Sequence, residues 1–187
     1  MLEAEKMDIN KLKLTVYEGN HENINAAINL LAQMKDQKTL AEIVDLLRSD
    51  EPEIRSYAVE IISRTGSFSL PQVQPLLNDN DPDIRKLAVE ILRNIRLPIV
   101  EEILIQAIFN DDVNVSVAAV EALGSIGSYK AVTHLIEAIK KEPWVKCAAI
   151  KSLGEIGSMK NMVESANEAA LDAILKINPD NEDNVVL

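Results

Sequence analysis

A single cysteine, Cys147, stands in a chain of 187 residues, so no intrachain disulfide can form, and a reducing compartment fits. Aromatic residues are only 3% of the total, against 47% hydrophobic residues overall. Packing therefore falls to Leu, Ile, Val and Ala, which suits helices that approach one another closely. Glycine and proline are few, six and seven, and scattered, so no long linker stands out. No segment approaches the roughly 20 consecutive apolar residues of a membrane span. The N-terminal MLEAEKMDINKLKL has no apolar run long enough for a signal sequence, and a cytoplasmic protein is expected. Positive charge is also in short supply: 19 Lys and Arg face 30 Asp and Glu, a net charge of -11. Residues 1–49 and 142–187 are each net negative, and no basic stripe is available. Nucleic-acid binding by counterion release needs clustered Lys and Arg, so that class is excluded.

What the sequence does have is repetition. AVEALGSIGS at 119–128 returns as AIKSLGEIGS at 149–158, and the pattern extends to Ala27, Ala58, Ala88, Ala119 and Ala149, at steps of 31, 30, 31 and 30 residues. Four and seven residues after each alanine stand Leu31 and Met34, Ile62 and Thr65, Leu92 and Ile95, Leu123 and Ile126, Leu153 and Ile156. Four before it stand Asn23, Ile54, Ile84, Val115 and Val145. Such spacing is one stripe of an α-helix, so each repeat opens with a helix that buries that stripe. Pro52, Pro82 and Pro143, each after an acidic residue, fit the first helical position. Gly66, Gly127 and Gly157 are expected to stop the helix in the left-handed conformation, and Ser67, Ser128 and Ser158 to cap a second helix.

The second helix carries Val100, Ile103, Leu104, Ala107 and Ile108 in repeat three, and Ala131, Leu135, Ala138 and Ile139 in repeat four. Gly124 and Gly154, inside first helices, cost about 1 kcal/mol each relative to Ala, which points to close helix contact. One helical pair cannot cover its own apolar face, and stacking on neighbours is required. In repeat two, Pro71 and Pro75 predict a short or kinked second helix. Repeat three has Arg93 and Arg96 in place of the two glycines. The expected organisation is one domain over 1–187: a capping helix at 8–19, repeats at 22–49, 50–80, 81–111, 112–141 and 142–165, a capping half-repeat at 166–178 and a frayed tail at 179–187.

The pattern D-P-x-[VI]-[RK]-x-x-A-[VI]-x-x-L-G-x-I-G resembles the HEAT-like repeats of phycocyanobilin lyase subunits, over roughly residues 22–178. The resemblance implies an all-α fold, a right-handed solenoid or α-α superhelix of about five helical hairpins with N- and C-terminal capping helices and the second helices lining the concave surface. It also implies that Arg55, Arg85 and Lys146 pair with acidic residues at neighbouring helix starts, such as Asp50, Asp81 and Glu142, and that Ser116 interrupts this ladder.

Enzymes of similar architecture need residues that can be checked. An iron hydroxylase of this fold uses repeated His-Glu pairs, and here the only histidines are His21 and His134. HEAT-like alkylpurine glycosylases need a basic, aromatic surface. His134 has no Ser, Cys or carboxylate partner that the sequence can place beside it, and a structural histidine is expected. Cys147 is expected to be an inert thiol. No catalytic, cofactor-binding or metal-binding residue is therefore assigned, and no enzymatic activity is expected. Trp144 occupies a polar column otherwise filled by Glu53, Asp83 and Asn114, which leaves two readings open: a surface hot spot, or an indole packed on Phe109 or aliphatic stems. Candidate partner contacts are Glu42, Gln72, Glu102, Thr133, His134 and Glu137, with Trp144 on the rim. The expected function is a scaffold or adaptor whose protein partner has a basic or neutral surface, with no nucleic acid and no membrane involved. The alternative, implied by the resemblance alone, is a bilin lyase or isomerase-like subunit acting on phycobiliproteins.

Overall fold

The computed structural model describes residues 21–95 and 97–159. The expected capping helix at 8–19, the part of repeat five beyond Met159, the half-repeat at 166–178 and the tail at 179–187 lie outside the described residues. The fold is all-α and repetitive, of the helical solenoid class. Among the described residues there are nine α-helices: α1 (His21–Gln33), α2 (Gln37–Asp45), α3 (Pro52–Arg64), α4 (Leu70–Val73), α5 (Pro82–Asn94), α6 (Pro98–Ala107), α7 (Val113–Ile126), α8 (Val132–Ala138) and α9 (Pro143–Ser158). The chain divides between Arg96 and Leu97 into two compact units. That division falls inside the third repeat, between its two helices.

In the first unit, α1 packs on α3 and α3 on α5, while α2 packs on α3 and the 3-10 turn Gln74–Asn78 packs on α5. A second helix thus leans on the first helix of the next repeat. The apolar stripe is where its spacing puts it: Ala27, Leu31, Ala58, Ile62, Ala88 and Leu92 are fully buried. Burying a Leu or Ile contributes about 1.5–3 kcal/mol, so the stripe supplies the core of each turn of the array. Asn23 is exposed, because the core position is taken by its neighbour Ile24. Met34 and Thr65 are half-buried, since both lie just past the end of their helix.

Prolines open α3 and α5 at the first turn, as expected. The Asp81 carboxylate accepts from the Asp83 N–H at 2.9 Å, and Asp36 caps α2 by accepting from the Thr39 N–H at 2.7 Å. The second helix of repeat two is reduced to four residues, α4, followed by a 3-10 turn that holds Pro75, which agrees with the two prolines there. Ser67 lies inside the 3-10 turn Gly66–Phe68 and does not cap a helix. At the end of α5, where the sequence has Arg96 in place of glycine, Ile95 is extended, with φ -85° and ψ 96°.

Adjacent repeats of this unit are clamped by Arg48, whose guanidinium meets both Asp79 carboxylate oxygens, one at 3.3 Å. The bond from Arg48 holds the Asp79 carboxyl below the usual carboxylate range, helped by the Asp81 N–H. A group with a depressed folded-state value stabilises above its unfolded value of about 3.9, and that contribution is lost as pH falls through the folded value. Asp79→Asn should therefore make thermal stability less dependent on pH between neutrality and strong acid. Parallel melting curves of wild type and variant across that range check this, and identical pH slopes would contradict the clamp.

In the second unit, α6 packs on α7, α7 on α9, and α8 on α9. Val115, Ala119, Leu123, Val145, Ala149, Leu153 and Ile156 are fully buried on the expected stripe. Val100, Ile103, Leu104, Ala107 and Ile108 of the third repeat's second helix are buried as well. In repeat four, Ile139 is only half-buried and Val132 takes a core position in its place. The helix α7 ends as expected, on Gly127 at φ 74°, with Ser128 N–H donating to Leu123 O and Gly127 N–H to Gly124 O, both at 3.0 Å.

Three expectations for this unit fail. Gly157 does not stop its helix, because α9 runs on to Ser158 and its end residue, Met159, has φ -76°. Ser158 accordingly sits inside the last turn of α9, donating to Glu155 O at 2.8 Å, and not at the start of a helix. Ser128 makes no side-chain cap either; its hydroxyl donates instead to Glu101 Oε2 at 2.6 Å.

Candidate functional site

The seven candidate contacts are split by the division of the chain. Glu42 and Gln72 belong to the first unit; Glu102, Thr133, His134, Glu137 and Trp144 belong to the second. On α2, Glu42 is exposed and stands 4.0 Å from Lys38. Gln72 on α4 is committed internally, donating to Gln37 Oε1 at 2.6 Å.

In the second unit Glu102 projects from α6, and Thr133 and Glu137 from α8, all exposed, with His134 half-buried between them. Neither Glu102 nor Glu137 has an ion-pair partner among the described residues. His134 meets the ring of Phe109 edge-on, with centroids 6.5 Å apart, and its Nδ1 is 3.4 Å from the Thr133 hydroxyl. Phe109 follows α6 in the turn towards α7 and is 41% exposed. Its ring also carries a cation, since Lys141 Nζ lies 5.5 Å from the centroid. The same amine donates to Ile108 O at 3.0 Å and to Ser116 Oγ at 3.4 Å. Such an ammonium-aromatic contact contributes about 0.5–1 kcal/mol at a partly exposed site.

This lysine clarifies the basic column. Arg55 and Arg85 each donate to the main-chain carbonyl six residues back, Ser49 O and Asp79 O, both at 2.6 Å. Ser116 keeps the same bond, its hydroxyl reaching Asn110 O at 3.0 Å. The charge that serine lacks comes from Lys141 in the following turn. Lys141 was not singled out by the sequence, and Phe109 was named only as a packing surface for Trp144, yet a signal exists: Lys141 puts a cation in a column that reads Asp50, Asn80 and Asp111 in the earlier repeats.

Trp144 is 75% exposed, so the reading in which its indole packs on Phe109 or on aliphatic stems is not realised. It stands in the first turn of α9 behind Glu142, whose carboxylate makes no capping bond. Trp144, Glu142, Glu102 and Glu137 thus offer uncommitted groups, while Thr133 meets His134, and His134 and Lys141 both meet the Phe109 ring. Cys147 is half-buried and forms no disulfide. Among the described residues no three His, Cys, Asp or Glu side chains are grouped to hold a metal ion. No helix among them is long and apolar enough to cross a membrane.

Among proteins of curated function, none matches this chain. An engineered protein solved by the Northeast Structural Genomics Consortium is 21% identical, with 87% of this chain and 83% of that one covered at a TM-score of 0.49. A designed armadillo repeat protein is 17% identical, with 88% and 90% covered at 0.43. The family model described as HEAT repeats matches residues 70–144, from α4 to Trp144, and over that stretch the chain is similar to HEAT-repeat arrays.

Proposed function

We propose that this chain is a non-enzymatic scaffold or adaptor that holds a protein partner on the face of the second helices of its second unit. The observation that carries the reading is Trp144, a large amphipathic side chain left 75% exposed on a well-packed helix. Tryptophan anchors are enriched at binding hot spots. The uncommitted carboxylates of Glu102 and Glu137 favour a partner surface that is basic or neutral, and binding that weakens with salt. His134 contributes as a packing residue, its ring set against Phe109.

The experiment is a tagged pull-down from native lysate at low and physiological salt, with mass spectrometry and an absorption spectrum of the eluate. One stoichiometric protein is expected, with affinity falling at least about tenfold on Trp144→Ala, as for a hot-spot residue. Charge reversal at Glu102 and Glu137 should weaken capture and flatten its salt dependence. Capture untouched by both changes would refute the surface. The bilin-lyase alternative rests on the repeat pattern alone, and a coloured eluate that contains a phycobiliprotein or a bound bilin would favour it instead.

A further inference from the structure

The first unit contains a groove on the other set of helices, with no residue in common with the surface above. It lies between α3 and α5, has a volume of about 370 Å³, and is lined by Ser56, Val59, Glu60, Ser63 and Arg64 from α3 and by Glu90 and Asn94 from α5. Its origin is local. Ser56, Val59 and Ser63 follow one another at helical spacing on one face of α3, and three small side chains in successive turns leave a trough.

Three features bear on what would fill it. Ser63 Oγ is buried and has no hydrogen-bond partner, so its hydroxyl is left unsatisfied. The Arg64 guanidinium donates to Glu60 at 2.5 Å and to Asn29 Oδ1, so its charge is balanced by Glu60. Glu90, in contrast, has no ion-pair partner among the described residues, while the neighbouring Lys86 lies 3.6 Å from Asp83. The trough thus joins one uncompensated carboxylate, an orphaned hydroxyl, an amide and a valine.

We infer that this groove binds a primary alkylammonium group, the ammonium received by Glu90, Ser63 and Asn94 and the methylene stem lying along Val59. An ammonium brings three donors on a compact head, which matches three acceptors of this kind, and its stem prefers apolar surface. An anion would face Glu90, and a neutral alkyl chain would leave both Glu90 and Ser63 unanswered. The ammonium can come from a free amine or from a lysine side chain of a partner.

Amide chemical-shift titration of the full chain tests this with three probes: 1,4-diaminobutane, acetyl-Gly-Lys-Gly-amide, and the same peptide with norleucine in place of lysine. Saturable shifts are expected within 56–64 and 90–94 for the lysine peptide and none for norleucine. Binding of the diamine as well would show that the free amine suffices, and its absence would assign the site to a partner's lysine. Glu90→Gln should weaken binding at least about tenfold, as for the loss of a charge-assisted bond. Ser63→Val, which fills the trough, should do the same, with circular dichroism confirming that both variants fold. Shifts that norleucine reproduces, shifts that survive in Glu90→Gln, or no shifts from any probe would overturn the assignment.

Discussion

Leu123→Ala is expected to destabilise the protein by about 2–5 kcal/mol, the range for truncating a buried leucine where the surroundings relax only in part. Leu123 is fully buried on α7, and the helices α6 and α9 pack against that element. Its carbonyl also receives the Ser128 N–H that closes the helix, so the backbone around it is fixed and resists collapse into the space left by the side chain. Chemical denaturation with matched slopes reads the loss directly. An unchanged midpoint would remove Leu123 from the core, and with it the i+4 register on which the whole repeat assignment rests.

That register was legible because it depends on local rules acting five times over. The alanine anchor, the residues four after it and the prolines at the first helical turn are each fixed by sterics within a single helix. Repetition then made the pattern unmistakable. What failed were positions where a longer-range alternative competes with the local signal. Ser128 has the chemistry of a cap, yet Glu101, twenty-seven residues earlier, offers its hydroxyl a carboxylate. Gly157 is able to adopt positive φ, but nothing compels a glycine to do so, and α9 continues through it.

The candidate site was legible only in part, for a related reason. Trp144 could be placed on the surface from its column, and its exposure agrees with that placement. The cation on Phe109 could not, because it joins residues thirty-two positions apart in the sequence. The groove at Ser63 is less visible still. It is made by what three small side chains leave empty, and absence of volume has no periodicity to detect.

Gly124 and Gly154 occupy the same place in the twin motifs LGSIG and LGEIG, and among the described residues their surroundings differ. A Cβ built on Gly124 would stand 2.6 Å from Ser152 Cβ and 2.9 Å from Ser152 Cα, on the facing helix α9. Those atoms cannot swing aside, because Ser152 is buried and its hydroxyl is held by Val120 O at 3.0 Å. Gly124→Val should therefore push α7 and α9 apart and cost about 3 kcal/mol, the upper part of the usual range for overpacking, even though leaving glycine improves helix propensity. A Cβ on Gly154 meets nothing within 4 Å among the described residues, and the residue is exposed there. Gly154→Ala should instead stabilise by about 0.5–1 kcal/mol through backbone entropy and propensity alone. Melting temperatures of the two variants decide the matter by sign. If both fall, Gly154 is also packed against a neighbour; if both rise, α7 and α9 do not pack at the distance that brings Ser152 to Gly124.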